Sequence, residues 1–298
     1  LIGTGRPVLV EQLGCREISR RRLLNWVYAH HTGLYLSAVG ILTGGAVLFL
    51  MLLGAWRDYT ATILLPYALV ALLPASQIAV LVVNYMATRC LPPRLLPKMS
   101  FEKEGIPDEY RTLLVVPMML VSDQTVRDEI EKLEIRYLAN PQANLLFSLF
   151  SDFVDAREAQ EAGDDELLQA AVTGIEGLNN RYGAGRFYLF HRKRVWTDSE
   201  GNYIGWERKR GKLEALNGLL NGDAQPGGEN IVYVGDRDRL ADVRFVITLD
   251  SDTQLPRDSA RRLIETISHP LNLWGGETAD GAYHIIQPRV TTDLPSAT

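Results

Sequence analysis

Two runs without a single charged residue constrain this chain more than any other feature. One is Thr32 to Trp56, "TGLYLSAVGILTGGAVLFLMLLGAW"; the other is Tyr59 to Thr88, "YTATILLPYALVALLPASQIAVLVVNYMAT". Each is longer than the ~20 apolar residues that take a helix across a hydrocarbon core. Only Arg57 and Asp58 separate them, so residues 32–88 are expected to form a transmembrane hairpin in the lipid bilayer, with both ends on one side. Arg16, Arg20, Arg21 and Arg22 precede it, and Arg89, Arg94 and Lys98 follow. The excess of basic residues places both flanks in the cytoplasm. Trp26, Tyr28 and Tyr35 at one end, and Trp56 and Tyr59 at the other, suit the two interfaces. Gly44, Gly45, Pro66 and Pro74 are tolerated in membrane helices whose neighbours re-satisfy the backbone. A hairpin of core helices in a soluble protein would not need two uncharged runs of this length back to back. A signal peptide would be shorter, would start earlier and would not be followed at once by a second run.

The chain opens on Leu1 and closes in "PRVTTDLPSAT", and reads as a piece of a longer protein. Its net charge of −5 argues against a nucleic-acid partner. Cys15 and Cys90 are isolated, which indicates neither a disulfide framework nor a zinc site. Residues 1–31 are expected to be a cytoplasmic N-terminal segment. The proline-rich, charged stretch 89–110 is expected to be a linker.

From Arg111 the character changes to an alternation of strands and helices. "TLLVVPMM", "NLLFSLFSDF", "RFYLFHRKRV", "IVYVG", "RFVITLD" and "HIIQPRV" read as strands. "QTVRDEIEKLEIRYLAN", with Val126, Ile130, Leu133 and Tyr137 at helical spacing, reads as an amphipathic helix. "DDELLQAAVTGIEGLNNRYG" has acids in its first turn and Gly183 near its stop. "KRGKLEALNGLLNG" and "RDSARRLIETISH" complete the helices. The pattern predicts an α/β fold, a mainly parallel sheet with helices on both faces. Ligands of such sheets bind outside the carboxyl ends of the strands.

Three features fall at those ends. "FVITLDSDTQLPRDSARRLIE" runs an apolar strand straight into Asp250-Ser251-Asp252. Two carboxylates one residue apart can share a hard divalent cation, Mg²⁺ or Mn²⁺, which keeps its waters and takes substrate phosphates as well. The simpler reading is a helix cap, with Asp252 or Asp258 accepting backbone N–H groups. Asp152 ends an earlier strand, where a carboxylate can meet a base edge or a ribose hydroxyl, or merely close a turn. In "GWERKRGKLEALNGLL", Arg208, Lys209, Arg210 and Lys212 crowd a helix start. Cations there oppose the helix dipole, and an anion such as a diphosphate would relieve the strain. A solvated basic face is the plainer alternative, although Gly211 allows a close backbone approach. His191, His269 and His284 have no partner at ligand spacing and read as structural or surface residues. No G-x-S-x-G, H-E-x-x-H or P-loop pattern is present.

"SDFVDA", "GWERKRGKLEALNGLL", "VITLDSDTQLPRDSARRLI" and "IIQPRV" together resemble the glycosyltransferase region of the cyclic β-1,2-glucan synthases. More broadly, they resemble the nucleotide-sugar half of processive family-2-like glycosyltransferases, with a GT-A-like fold. The similarity runs over most of Arg111 to Val290. It implies a partial glycosyltransferase domain over 111–298, truncated at the C-terminus, in a multi-pass protein of the bacterial inner membrane with its α/β part in the cytoplasm. It also implies UDP-glucose as donor, a β-glucan acceptor and a β-1,2 linkage. By the same resemblance Asp152 would bind the uridine, Asp250 and Asp252 the metal and diphosphate, and Arg210 and Lys212 would line the donor site. Inverting transfer needs a general base, expected beyond residue 298, so this chain would hold the donor half and be inactive alone. Two other readings remain. A haloacid-dehalogenase-type phosphohydrolase also places D-x-D after an apolar strand, but Gln254 stands where Thr or Val is usual. A non-catalytic membrane module could bind a nucleotide without turnover.

Overall fold

The computed structural model describes residues 19–92, 95–222, 231–273 and 283–290. It divides into two compact units, Leu1–Leu95 and Leu96–Thr298. Arg16, Cys15 and Arg94 lie outside the described residues, as do the side chains of Arg20 and Arg21.

The first unit holds helices α1 (Ser19–Ala29), α2 (His31–Trp56) and α3 (Ala61–Cys90). The helix α1 lies where the sequence reading had only an N-terminal segment. Helices α2 and α3 are both long and apolar enough to cross a membrane. They pack on each other through Leu64, Ala71, Ala75 and Ala79 of α3. Gly54 permits the approach, since a Cβ there would sit 2.4 Å from the Leu64 side chain. The Tyr35 hydroxyl donates to Asn84 Oδ1 at 3.2 Å across the pair. Pro66 and Pro74 lie inside α3 without ending it. The outward faces carry Ile41, Leu48, Leu52, Leu65, Leu69 and Leu73, all exposed, a surface that matches hydrocarbon better than water.

The second unit is α/β. Its elements are β1 (Thr112–Leu120), α4 (Asp123–Ala139), β2 (Leu145–Phe153), α5 (Asp164–Tyr182), β3 (Phe187–Arg192), β4 (Val195–Thr197), β5 (Asn202–Ile204), α6 (Arg208–Asn221), β6 (Val232–Val234), α7 (Arg237–Leu240), β7 (Phe245–Thr248) and α8 (Ser259–Ile267). The main sheet has the order β6-β3-β2-β1-β7. The β1–β2, β2–β3 and β1–β7 pairs are parallel, and the edge pair β3–β6 is antiparallel. Side-chain alternation on the strands sends Leu114, Val116, Phe147, Leu149, Phe187 and Leu189 to a core closed by α4, α5 and α8. Leu113, Val115, Leu146, Phe150, Tyr188 and Phe190 go to the opposite core, closed by α6 and α7. Helices therefore cover both faces of a mixed, mostly parallel sheet. Its three central strands are long apolar runs because both their faces are buried. The unit also takes in part of the proline-rich stretch 89–110, since Phe101 and Ile106 join the first core.

Several elements depart from the sequence reading. "RFYLFHRKRV" is two strands, because Arg194 turns back to pair with Asp164 and the chain forms the β4–β5 hairpin. "HIIQPRV" is not a strand: His284 to Val290 carry no strand assignment. "RFVITLD" yields only the four residues of β7, half-buried. Here Pro117 supplies the reason. Val115 O points to β7, since it accepts from Leu249 N at 3.1 Å. The next group facing that way is the nitrogen of Pro117, which has no hydrogen to donate, so the ladder stops. Strand β1 runs on to Leu120 without β7 beside it, leaving a notch at the carboxyl edge of the sheet.

Candidate donor-binding site

That notch opens into a cavity of about 400 Å³, lined by residues that include Met118, Asp152, Asp155, Arg208, Lys209 and Lys212. It lies at the carboxyl ends of the parallel strands, where such sheets take ligands.

Asp152 is 3 % exposed. It sits level with Arg192 in the β2–β3 register, on the same face as Phe150 and Phe190, where α6 packs. Arg192 grips it with both arms, Nε to Oδ1 at 3.0 Å and Nη2 to Oδ2 at 2.8 Å. Lys212, equally buried, reaches from α6 to the same Oδ2 at 3.3 Å and donates to the Met118 carbonyl. Burial pulls the Lys212 ammonium below its ordinary pKa, and Asp152 pushes it back up. A bidentate guanidinium is the stronger kind of charge-assisted contact. The result is a buried cluster of one carboxylate and two cations facing the cavity.

Arg192 also donates to the carbonyls of Trp206 and Arg208, both at 3.1 Å. Those bonds hold a tight turn into α6, in which Glu207 and Arg208 are both left-handed at φ +47°. Such a conformation is strained for side chains of this size and persists where the surroundings fix it. Gly211 has no room for a Cβ, which would fall 2.0 Å from the Trp206 carbonyl oxygen. The exposed cations of this helix start each meet an acid. Arg208 pairs with Asp155 at 3.1 Å, Arg210 with Glu207 at 3.1 Å, and Lys209 with Asp250. Exposed pairs of this kind contribute roughly 0–1 kcal/mol each, so a more highly charged ligand can displace them.

Asp250 and Asp252 stand exposed just after β7. Asp252 has no hydrogen bond or ion pair among the described residues. The helix-cap alternative is not realised at the start of α8, where Asp258 makes no side-chain cap bond. No group of three or more His, Cys, Asp or Glu gathers among the described residues. Two carboxylates on an open turn fit an ion that keeps several waters and shares substrate phosphate oxygens. They do not fit one that needs a complete protein cage.

The turn carrying these acids is held from behind by α4. Arg136, 4 % exposed, donates through Nη2 to the carbonyls of Ser251 at 2.8 Å and Thr253 at 3.0 Å. Asn140 donates to Pro256 O at 3.3 Å and accepts from Ala260 N at 3.1 Å. Ser151 and His191 lie on the opposite side of the sheet from Arg192, hydrogen-bonded at 2.9 Å. His191 packs edge-on against Phe153 at 4.3 Å, and burial lowers its pKa from 6.5 to about 4.

Of the residues singled out from sequence, Asp152 and Lys212 meet directly, and Lys209 brings Asp250 to the same cavity. Arg210 points to solvent and is not among the cavity's lining residues. Arg192, Arg136 and Asn140 escaped the sequence reading. The one available sign was polarity at positions of β3 and α4 that the periodicity assigns to the core.

No family model matches the chain. The cyclic beta-(1,2)-glucan synthase NdvB of Rhizobium meliloti (strain 1021) is 39 % identical over 232 residues, which is 74 % of this chain and 8 % of NdvB. The chain thus spans less than a tenth of the length of the curated relative that it matches. Over most of its own length it is related to a region of a cyclic β-(1,2)-glucan synthase.

Proposed function

We propose that this chain is the donor-binding part of a membrane-bound glycosyltransferase that builds a β-1,2-glucan from UDP-glucose, inverting the donor linkage with help from a divalent cation. The relationship to a glucan synthase supports the class of reaction. The observation that carries the site is the cavity at the strand ends, with Lys209, Lys212 and Arg208 on one wall and the Asp250–Asp252 turn beside it.

In this reading Asp250 and Asp252 would hold a divalent ion, which would supply positive charge against the departing diphosphate. The chain's own groups do the rest. Lys209 leaves Asp250 and turns to the diphosphate, as does Arg208 from Asp155, beside the N–H groups of Lys209 and Arg210 at the start of α6, the N–H groups of Arg208 and Gly211 being bonded to Gly205 O and Glu207 O. Lys212 stays anchored between Asp152 and Met118 and presents a fixed positive charge from below. Asp152 has three donors around its two oxygens and keeps room for one more, the bond expected from the uridine. Arg210, paired with Glu207 and turned to solvent outside the lining, has no role in this reading. The acceptor hydroxyl attacks the anomeric carbon as UDP departs. The base that takes its proton is not assigned to any of these residues. The two apolar helices fit a bacterial inner-membrane protein whose α/β unit faces the cytoplasmic pool of nucleotide sugar.

Thermal unfolding of the chain in detergent tests the assignment. UDP-glucose with Mn²⁺ should raise the transition temperature, and GDP-mannose should not. Equal shifts by both, or none by either, would refute a uridine-specific donor site.

A further inference from the structure

The D-x-D turn does not hold itself. Residues 249–256 contain no helix or strand, and of the turn's own bonds Thr253 N to Asp250 O at 3.0 Å is the local one. Its outer carbonyls, Ser251 and Thr253, both end on one guanidinium nitrogen of Arg136. That arginine is buried in a helix whose other inward positions are Val126, Leu133 and Tyr137 and one acid, Glu129. Its Nη1 is buried without a hydrogen-bond partner among the described residues, and so is Oε2 of Glu129, two turns earlier on α4. Glu129 gives its other oxygen to Lys132 at 2.7 Å. Burying a guanidinium with no direct carboxylate partner is unfavourable, and an apolar side chain of similar volume serves a core better. The position therefore does something that packing alone does not need. A planar guanidinium can meet two carbonyls two residues apart at fixed angles, which an ammonium on a flexible stem cannot do as rigidly.

From these contacts we infer that Arg136 is a positioning residue: it sets the spacing of the Asp250 and Asp252 carboxylates by clamping the carbonyls of Ser251 and Thr253. This rests on the reading that Asp250 and Asp252 hold a metal and diphosphate. Arg136 touches neither ligand and acts only through the turn. Asn140, which ties down Pro256 and Ala260, fixes the far end of the same loop, so the segment from Ser251 to Ala260 takes its shape from the last turns of α4.

The test uses the whole chain in detergent, with Arg136→Lys and Arg136→Met. Three quantities are read for each: the unfolding temperature, the affinity for UDP with Mn²⁺ by calorimetry, and the affinity for uridine alone by ligand-observed NMR. The expected result is a loss of about tenfold or more in metal-dependent UDP affinity, with uridine affinity unchanged within about twofold. Arg136→Lys should recover part of the loss relative to Arg136→Met. Unchanged UDP affinity in a folded variant would overturn the inference while leaving the donor site standing. Parallel loss of UDP and uridine, or failure of both variants to fold, would make Arg136 a plain core residue and also overturn it. A wild-type chain that binds neither UDP nor uridine would instead remove the donor-site reading on which the inference depends.

Discussion

The buried cluster of Asp152, Arg192 and Lys212 makes an unequal prediction for its three members. It holds one negative and two positive charges, all nearly out of solvent. Replacing Asp152 by Asn leaves two buried cations facing each other across a neutral amide. Removing one partner of a buried ion pair costs about 3–5 kcal/mol, and this case belongs at the upper end because two charges lose their counter-ion. Replacing Arg192 by Met leaves the balanced pair Asp152–Lys212 but frees the Trp206 and Arg208 carbonyls. Losing contacts to a charged group costs about 1.5–3 kcal/mol. Replacing Lys212 by Met leaves the bidentate Asp152–Arg192 pair, which is balanced, and strips one donor from Met118. That change should cost about 1 kcal/mol or less. For a unit of this size 1 kcal/mol moves the transition by roughly 2–4 °C, so Asp152→Asn should fall by on the order of 10 °C and Lys212→Met by only a few. Thermal unfolding of the three variants in the same detergent gives the order directly. A Lys212→Met variant as unstable as Asp152→Asn would refute the charge accounting. The two should differ in ligand binding, because Lys212→Met removes the fixed cation beneath the diphosphate and should weaken UDP more than uridine, whereas Asp152→Asn removes the carboxylate that meets the uridine.

His191 gives a pH signature. Its pKa is 6.5 when free and about 4 in the folded chain, so the stability it lends is complete above pH 6.5 and is lost as pH falls towards 4. Between pH 7.5 and 5.5 the loss should be about 1.4 kcal/mol, and His191→Phe should lack that component; an identical pH dependence in the variant would contradict it. Gly211→Ala should destabilise by about 1–3 kcal/mol through overpacking against the Trp206 carbonyl. Helix propensity alone would have it stabilise by about 1 kcal/mol, so unfolding of this variant separates the two effects by sign.

The alternation of apolar runs and amphipathic stretches was legible because each central strand is buried on both faces and each helix on one. The hairpin of apolar helices was legible because lack of charge over such lengths has few other uses. The contacts that build the site were less so. Arg192 meets Asp152 across forty residues of sequence, through a register that no local pattern announces. Arg136 and Asn140 fall on the inward stripe of an amphipathic helix and its cap, but nothing local names what they hold until the D-x-D turn is set against them. The length of β7 depended on Pro117, more than a hundred residues earlier, because a proline in one strand ends the ladder of its neighbour. "HIIQPRV" has the composition of a strand but no strand partner, and composition cannot supply one.

The central claim is that the Asp250–Asp252 turn and the basic wall opposite hold a nucleotide-sugar diphosphate with a divalent ion. Calorimetric titration of UDP and UDP-glucose into the chain, with and without Mn²⁺, beside an Asp250→Asn/Asp252→Asn double variant, addresses it most directly. The account expects saturable binding in the wild type that requires the metal and disappears in the double variant. Metal-independent binding, or binding that survives loss of both carboxylates, would contradict it.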